Sequence, residues 1–354
     1  MKNKIITICF IIYIFSFSII GLVLKDKEIS TTERRYLKKF PSFELDSNYI
    51  TSVDKYFLDH FPFRNNFRSI KANFNYNLLL KLDNNNIYLK DDYIFKAEYP
   101  TNYKSIEKFI TTINKIKSTL NENNKIYILA VPDKNYYLDE KLFLNIDYEY
   151  IYNEIDKLNI TNIDIRNIMN LNDYYYTDTH WKQEKLDKVV KEISMFMNFE
   201  YEETTYENKV FDNFYGVYYG ESALNRKPEK LTYLINEDIE GAEVKYLENN
   251  KLTSVYNFEN LDSFDAYEVF LDGASSFIEI TNKNSLSNKE LVVFRDSFGS
   301  SLTPLLIKYY SKITLIDNRY ISSKDYTNLI DFTDQDVLFL YSTLIINNSS
   351  TLKG

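Results

Sequence analysis

The sequence predicts an α/β fold with a mostly parallel sheet, preceded by a single membrane-spanning helix. Three observations carry that expectation. An uncharged apolar run extends from Ile5 to Leu24, helical stripes alternate with short apolar runs from Ser105 onward, and the alternation returns between Leu291 and Tyr341. Strand–helix–strand alternation implies right-handed crossovers and parallel neighbours. The chain has 354 residues, 44% of them hydrophobic, enough to bury a sizeable core without a disulfide framework.

Taken in order, the first element is the apolar run, preceded by Lys2 and Lys4 and closed by Lys25, Asp26 and Lys27. Twenty residues at helical rise span about 30 Å, the thickness of a bilayer's hydrocarbon core. The run is longer than a signal-peptide core and ends without a small-x-small site, so it reads as an uncleaved signal anchor. The flanking lysines put the N-terminus in the cytoplasm and the rest of the chain outside. Residues 1–27 are therefore expected to form the anchor, and 28–354 one extracytoplasmic domain with an irregular insertion around 200–288. Cys9, the sole cysteine, falls inside the anchor, so no intramolecular disulfide is possible.

Glu28 to Phe43 reads as an exposed connector, and Ile50 to Leu82 as largely helical with an interruption at Pro62. Ile87 to Lys96 reads as a short strand or hairpin. Ile106, Phe109, Ile110, Ile113 and Leu120 make one helical stripe, which Asn121 to Asn124 ends. Ile126 to Val131 and Ile160 to Ile165 read as buried parallel strands, with a helix at Ile151 to Leu158 between them. Leu186, Val189, Val190 and Ile193 mark another helix. A strand at Leu291 to Phe294, a helix at Leu302 to Tyr310, and strands at Ile313 to Ile316 and Val337 to Tyr341 complete the set.

Composition excludes some functions. The net charge is −9 and no basic patch stands out, so nucleic acid is not an expected partner. The 32 tyrosines are spread over the whole chain, and codon bias in an AT-rich genome explains them more simply than a sugar-stacking surface does.

Two segments carry candidate chemistry. The first is Thr177-Asp178-Thr179-His180-Trp181, holding one of only two histidines, beside a carboxylate at a loop-to-helix junction. The second is Arg295-Asp296-Ser297-Phe298-Gly299-Ser300-Ser301, directly after an apolar strand and before a helix. Ligands of open α/β sheets bind at that strand edge, where free N–H groups suit an oxyanion. Ser297 is equally well placed to be an N-cap, although Asp296, Ser300 or Ser301 could fill that role. Serine needs a base oriented by a third group, and Asp178, His180 and Ser297 together supply nucleophile, base and orienting acid.

Further short blocks surround these. They are Glu33-Arg34-Arg35-Tyr36-Leu37, Phe57-Leu58-Asp59-His60-Phe61-Pro62-Phe63-Arg64, Val131-Pro132-Asp133-Lys134, Phe270-Leu271-Asp272-Gly273 and Ile316-Asp317-Asn318-Arg319-Tyr320. In this collinear order the chain resembles the DHHW family and, more distantly, the alginate O-acetyltransferases of the SGNH-hydrolase-like superfamily, from about Glu33 to the C-terminus. The resemblance implies a three-layer α/β/α domain in which Asp178 and His180 match the family's Asp-x-His pair and Ser297 its nucleophile. Arg295 stands where the acetyltransferases often have glycine. The oxyanion candidates are thus the amides of Ser297 and Gly299, then Gly273, with Arg295 and Lys134 as further binding candidates, and Lys134, Asp317 and Arg319 are expected at the site rim or in structural roles. His60 is expected to be structural, in a turn where Arg64 pairs with Asp59. Trp181 is expected to pack the loop rather than stack on a sugar.

The implied activity is O-acyl transfer, chiefly acetyl, to or from polysaccharide hydroxyls in the bacterial cell envelope. The implied acyl source is a membrane-bound O-acyltransferase, with no cofactor and no metal. A non-catalytic glycan-binding or assembly protein that kept the fold is the alternative. A hydrolase with a metal on Asp173, Asp178 and His180 is disfavoured by the shortage of histidine and cysteine ligands.

Overall fold

The structure, a computed structural model, describes residues 2–43, 47–138, 144–197, 199–248, 252–285 and 287–353. The chain divides into two compact units, one comprising Met1–Leu89 with Val217–Lys227, the other Lys90–Gly216 with Pro228–Gly354. The first unit thus groups residues 28–89 with the apolar helix, where the sequence suggests a boundary after residue 27.

In the first unit, helix α1 (Lys2–Val23) is followed by α2 (Ser47–Asp59) and α3 (Arg64–Asn73), with one π-helical turn at Phe74–Leu78. The helical stretch breaks at Pro62 as its sequence requires, with Phe63 left-handed at φ 61°. The two blocks Glu33–Leu37 and Phe57–Arg64 fold onto one another. Asp59 receives the Arg35 guanidinium (Nη1 to Oδ2, 2.9 Å), while Glu33 receives Arg64 and lies 3.4 Å from Arg68. The expected Arg64–Asp59 pair is present but long, at 4.0 Å, because Arg64 sits on Glu33 and Arg35 already occupies the Asp59 carboxylate. The Arg35 bond holds the Asp59 carboxyl down at about 2. His60 packs on Tyr56 with ring centroids 4.5 Å apart, its Nε2 bonded to the Lys38 carbonyl at 2.9 Å.

The second unit is built on an eight-stranded sheet. Its strands are β1 (Lys125–Val131), β2 (Thr161–Asn162), β3 (Glu243–Tyr246), β4 (Leu252–Thr253), β5 (Phe277–Thr281), β6 (Glu290–Arg295), β7 (Lys312–Ile316) and β8 (Asp336–Ser342), in the order β4-β3-β5-β7-β6-β8-β1-β2. The five strands from β7 to β2 are parallel, and the three on the other side extend the sheet antiparallel. Alternate residues feed two cores. Leu129, Val293 and Leu338 face α6 (Asp187–Met197) and the Phe298–Tyr309 segment, while Ile128, Phe294 and Phe339 face α4 (Tyr103–Lys117) and α5 (Tyr148–Asp156). Burial on both faces explains why these strands read as unbroken apolar runs, and it makes the domain three layers deep.

The irregular stretch is more ordered than its polar breaks suggest. It supplies β3, β4 and β5 and an antiparallel hairpin, Glu207–Phe214 with Glu229–Ile235, although 249–251 and 286 lie outside the described residues. The strand expected over Ile160 to Ile165 pairs only at Thr161–Asn162. The expected helix at Leu302 to Tyr310 is a 3₁₀ segment, Thr303–Tyr309, behind a short α-helix at Phe298–Leu302.

Candidate active site

The carboxyl ends of three adjacent parallel strands build the site. Strand β6 delivers Arg295, Asp296 and Ser297, β8 ends at Ser342, and β1 runs into Pro132, Asp133 and Lys134. Asp296 is the fastener. One carboxylate oxygen accepts the N–H and hydroxyl of Ser342, each at 2.7 Å, and the other accepts the Phe298 N–H at 3.0 Å. With Asp296 serving the helix start, Ser297 makes no capping bond although it occupies the N-cap position. From Leu291 to Ile307 every residue is buried except Ser297.

The second half comes from the loop between Asp173 and Lys182. Tyr174 and Trp181 bridge antiparallel, and the Tyr175 N–H donates to the His180 carbonyl at 3.1 Å. Asp178 Oδ1 accepts the His180 N–H at 3.0 Å and lies 2.6 Å from Nδ1 of its ring. That contact fixes Nδ1 as the protonated nitrogen and leaves Nε2 to accept from the Ser297 hydroxyl, 2.8 Å away. The Tyr267 ring lies flat on the imidazole, centroids 3.9 Å apart and planes 6° from parallel. Tyr267 Oη and Trp181 Nε1 both reach Ser301 Oγ, at 2.8 and 2.9 Å. Trp181 is wholly buried, so it packs.

Two buried charges clamp this loop from opposite sides. Lys134 Nζ donates to the carbonyls of Tyr175, Tyr176 and Asp178 at 3.1, 3.2 and 2.7 Å. Glu229 accepts the N–H groups of Tyr176 and Thr177 at 2.8 and 2.7 Å, and the Thr177 hydroxyl. Burial pushes the Lys134 ammonium down to about 7 and the Glu229 carboxyl upward. Lys134 is therefore buried beneath the loop, the structural one of the two places expected for it. Gly216 closes the remaining side: a Cβ there would lie 2.2 Å from the Thr177 carbonyl.

The oxyanion candidates separate. The Gly299 N–H donates to the Asp296 carbonyl at 3.1 Å and the Gly273 N–H to the Phe270 carbonyl at 3.3 Å, so neither is an open donor. Gly299 is needed for close approach, since a Cβ would stand 2.9 Å from Arg295 Cβ. Among the described residues the Ser297 N–H has no partner. Arg295 is buried behind the turn, 2.9 Å from Ser300 Oγ and 3.5 Å from the Gly273 carbonyl. Burial lowers its pKa. Leu271, Asp272 and Gly273 are three successive left-handed residues, with φ of 52°, 52° and 73°. Asp173 is engaged elsewhere, with Lys188 at 2.6 Å, and Asp317 pairs with Arg319 at 2.6 Å.

Solved structures share the architecture. No family model matches the chain and no curated protein matches its sequence. The crystal structure of a DHHW family protein from Eubacterium siraeum superposes with a TM-score of 0.63 at 20% identity, covering 77% of this chain and 97% of that one. The fold is that of a DHHW family protein. Bacillus cereus PatB1 has it too, with a TM-score of 0.58 at 18% identity over 74% of this chain and 97% of that one. A second PatB1 structure, with a sulfonyl adduct, gives 0.56 at 19% identity over 73% and 97%. The O-acetyltransferase domain of Pseudomonas putida AlgJ gives 0.45 at 13% identity over 74% and 92%.

Glu229, Tyr267 and Gly216 are the site residues that sequence reasoning missed. Tyr267 is one of 32 tyrosines. Glu229 and Gly216 lie in a polar stretch with no periodicity to single them out. Only the Phe270–Gly273 block, just after Tyr267, marked the neighbourhood.

Proposed function

We propose that this protein is a membrane-anchored serine-type O-acyltransferase or esterase that moves acetyl groups to or from hydroxyls of a cell-surface or secreted polysaccharide. One observation carries the reading. An unbroken relay runs from the Asp178 carboxylate through the His180 imidazole to the Ser297 hydroxyl, at the one open point of a buried strand end.

As Ser297 Oγ attacks the acyl carbonyl carbon, His180 Nε2 takes its proton and Asp178 stabilises the imidazolium. The carbonyl oxygen becomes an oxyanion facing the Ser297 N–H. Its collapse breaks the bond to the departing alcohol oxygen, which receives the proton from His180. The acyl-serine is then attacked by a sugar hydroxyl or by water, deprotonated at the same nitrogen, and Ser297 is restored. The acceptor decides between transferase and hydrolase. The acetyl group, the glycan and a membrane-bound acyl donor follow from the family resemblance.

The test is the full chain in detergent with a chromogenic acetyl ester, followed by intact mass. Turnover and an acetyl adduct on Ser297 are expected, both lost by about 10³-fold or more in Ser297→Ala. PatB1 carries a sulfonyl adduct in one of its structures, so a sulfonyl fluoride is the second probe. No turnover and no adduct with either reagent would leave the glycan-binding reading in its place.

A further inference from the structure

The first unit carries a helix that turns a row of apolar residues outward, between exposed Asn66, Lys71, Asn73 and Asn77. On α3 and the π turn after it, Phe67, Ile70, Phe74 and Leu78 follow one another at i, i+3, i+7 and i+11, and all four are exposed. The face turned into the protein is the polar one. Arg64 and Arg68 lie on Glu33, Asn75 is buried with its amide 2.8 Å from Asn84 Oδ1, and the apolar contribution is Ala72 and the half-buried Tyr76 ring, whose hydroxyl donates to the Ile87 carbonyl. A helix on an aqueous surface shows the reverse arrangement. The patch continues into the end of α2 with Phe57 and Leu58, through Phe61 in the turn after it, and past the π turn with Leu79, Leu80 and Leu82, all exposed.

Contact with α1 sets the depth of this patch. Phe17 stacks on Phe61 with centroids 5.5 Å apart and meets Phe67 at 5.8 Å, and a Cβ on Gly21 would lie 3.6 Å from Pro62. Phe17 is six residues from the end of α1 at Val23, about 9 Å along a helix axis. Interfacial helices bury their apolar face roughly 5–10 Å into the headgroup boundary. An apolar cleft of about 840 Å³, lined by Tyr13, Phe17, Gly21, Tyr56, Phe57 and Phe61 among others, opens between α1 and the turn from α2 to α3. Its lining is chiefly apolar, the chemistry that lipid acyl chains require.

We propose that α2 and α3 form a second membrane contact, lying in the outer-leaflet interface beside α1 with Phe57, Phe61, Phe67, Ile70, Phe74 and Leu78 in lipid. This rests on α1 as a membrane span. Its role is to hold the first unit against the bilayer at a fixed depth and rotation, which one flexible anchor does not do.

The test uses the full chain in phosphatidylcholine–phosphatidylglycerol vesicles. Cys9→Ser gives the background, and spin labels are placed one at a time at Ile12→Cys, Phe67→Cys, Ile70→Cys and Asn65→Cys. Asn65 is exposed on the opposite face of α3. The expected result is that labels at 12, 67 and 70 collide more with oxygen than with an aqueous nickel chelate, and the label at 65 the reverse. A label at 12 in lipid with those at 67 and 70 in water sinks the seating alone. A label at 12 in water sinks the anchor reading and this one with it. Labels at 67 and 70 shielded from both reagents mean that a protein surface covers the face, which also overturns the proposal.

Discussion

Lys134 shows how a single residue couples the loop to pH. Its ammonium donates three hydrogen bonds to three carbonyls of the loop that presents Asp178 and His180. Burial lowers its pKa from the ordinary 10.5 to about 7, against the opposing pull of Asp178, Glu229 and Asp133, with Lys182 adding to the lowering. Between those two values the unfolded chain holds a proton that the folded chain has released. From this group alone, stability therefore rises with pH across that window, and the full cost of the buried charge is felt below about 7. Activity runs the other way, because a neutral amine has two N–H bonds for three carbonyls. Ester turnover is expected to decline above about pH 7 in the parent, and Lys134→Met is expected to give a lower, flatter profile. The pH dependence of kcat/KM in both proteins decides it: an alkaline limb that persists unchanged in Lys134→Met removes the role assigned to this lysine.

At the scale of elements, the site is the meeting of three strand ends with one loop, and the hairpin region closes that loop from outside. Gly216 follows the first hairpin strand and its N–H donates to Thr177 Oγ1 at 2.8 Å. A methyl group there meets backbone atoms at 2.2 and 2.3 Å, and backbone cannot swing aside as a side chain can. Gly216→Ala is expected to destabilise by about 1–3 kcal/mol through overpacking. It is also expected to lower kcat by roughly 10²-fold through displacement of Asp178. Gly241→Ala, whose Cβ would meet only the Asn284 amide at 3.2 Å, is the control and is expected to keep both properties. Thermal melts and kcat of the two variants make the comparison, and normal kcat in a folded Gly216→Ala protein would show that the loop is positioned without this contact.

For the whole molecule, α1 is long and apolar enough to cross a bilayer, and none of its apolar window is buried within the described residues. The chain is expected to stay with membranes through alkaline carbonate extraction and to be digested when protease is added outside intact protoplasts. Release by carbonate, or protection from that protease, counts against an extracytoplasmic anchored protein. The α/β class, the long apolar N-terminal helix and the parallel strands were legible in the sequence because each is a local pattern: apolar runs at α1, β1, β6, β7 and β8, and a 3.6-residue stripe at α4. Asp178, His180 and Ser297 were legible as residue types at a loop and a strand end. Their meeting was expected from the chemistry serine needs and from the family resemblance, not from any local pattern, since His180 and Ser297 lie 117 residues apart in the chain. Tertiary structure alone decided which Asp, Lys and Glu face the loop, that the Gly299 and Gly273 amides are spent in turns, and that Tyr267 lies on the imidazole. Periodicity reports what a residue does within its own element, whereas a catalytic relay depends on how separate elements pack.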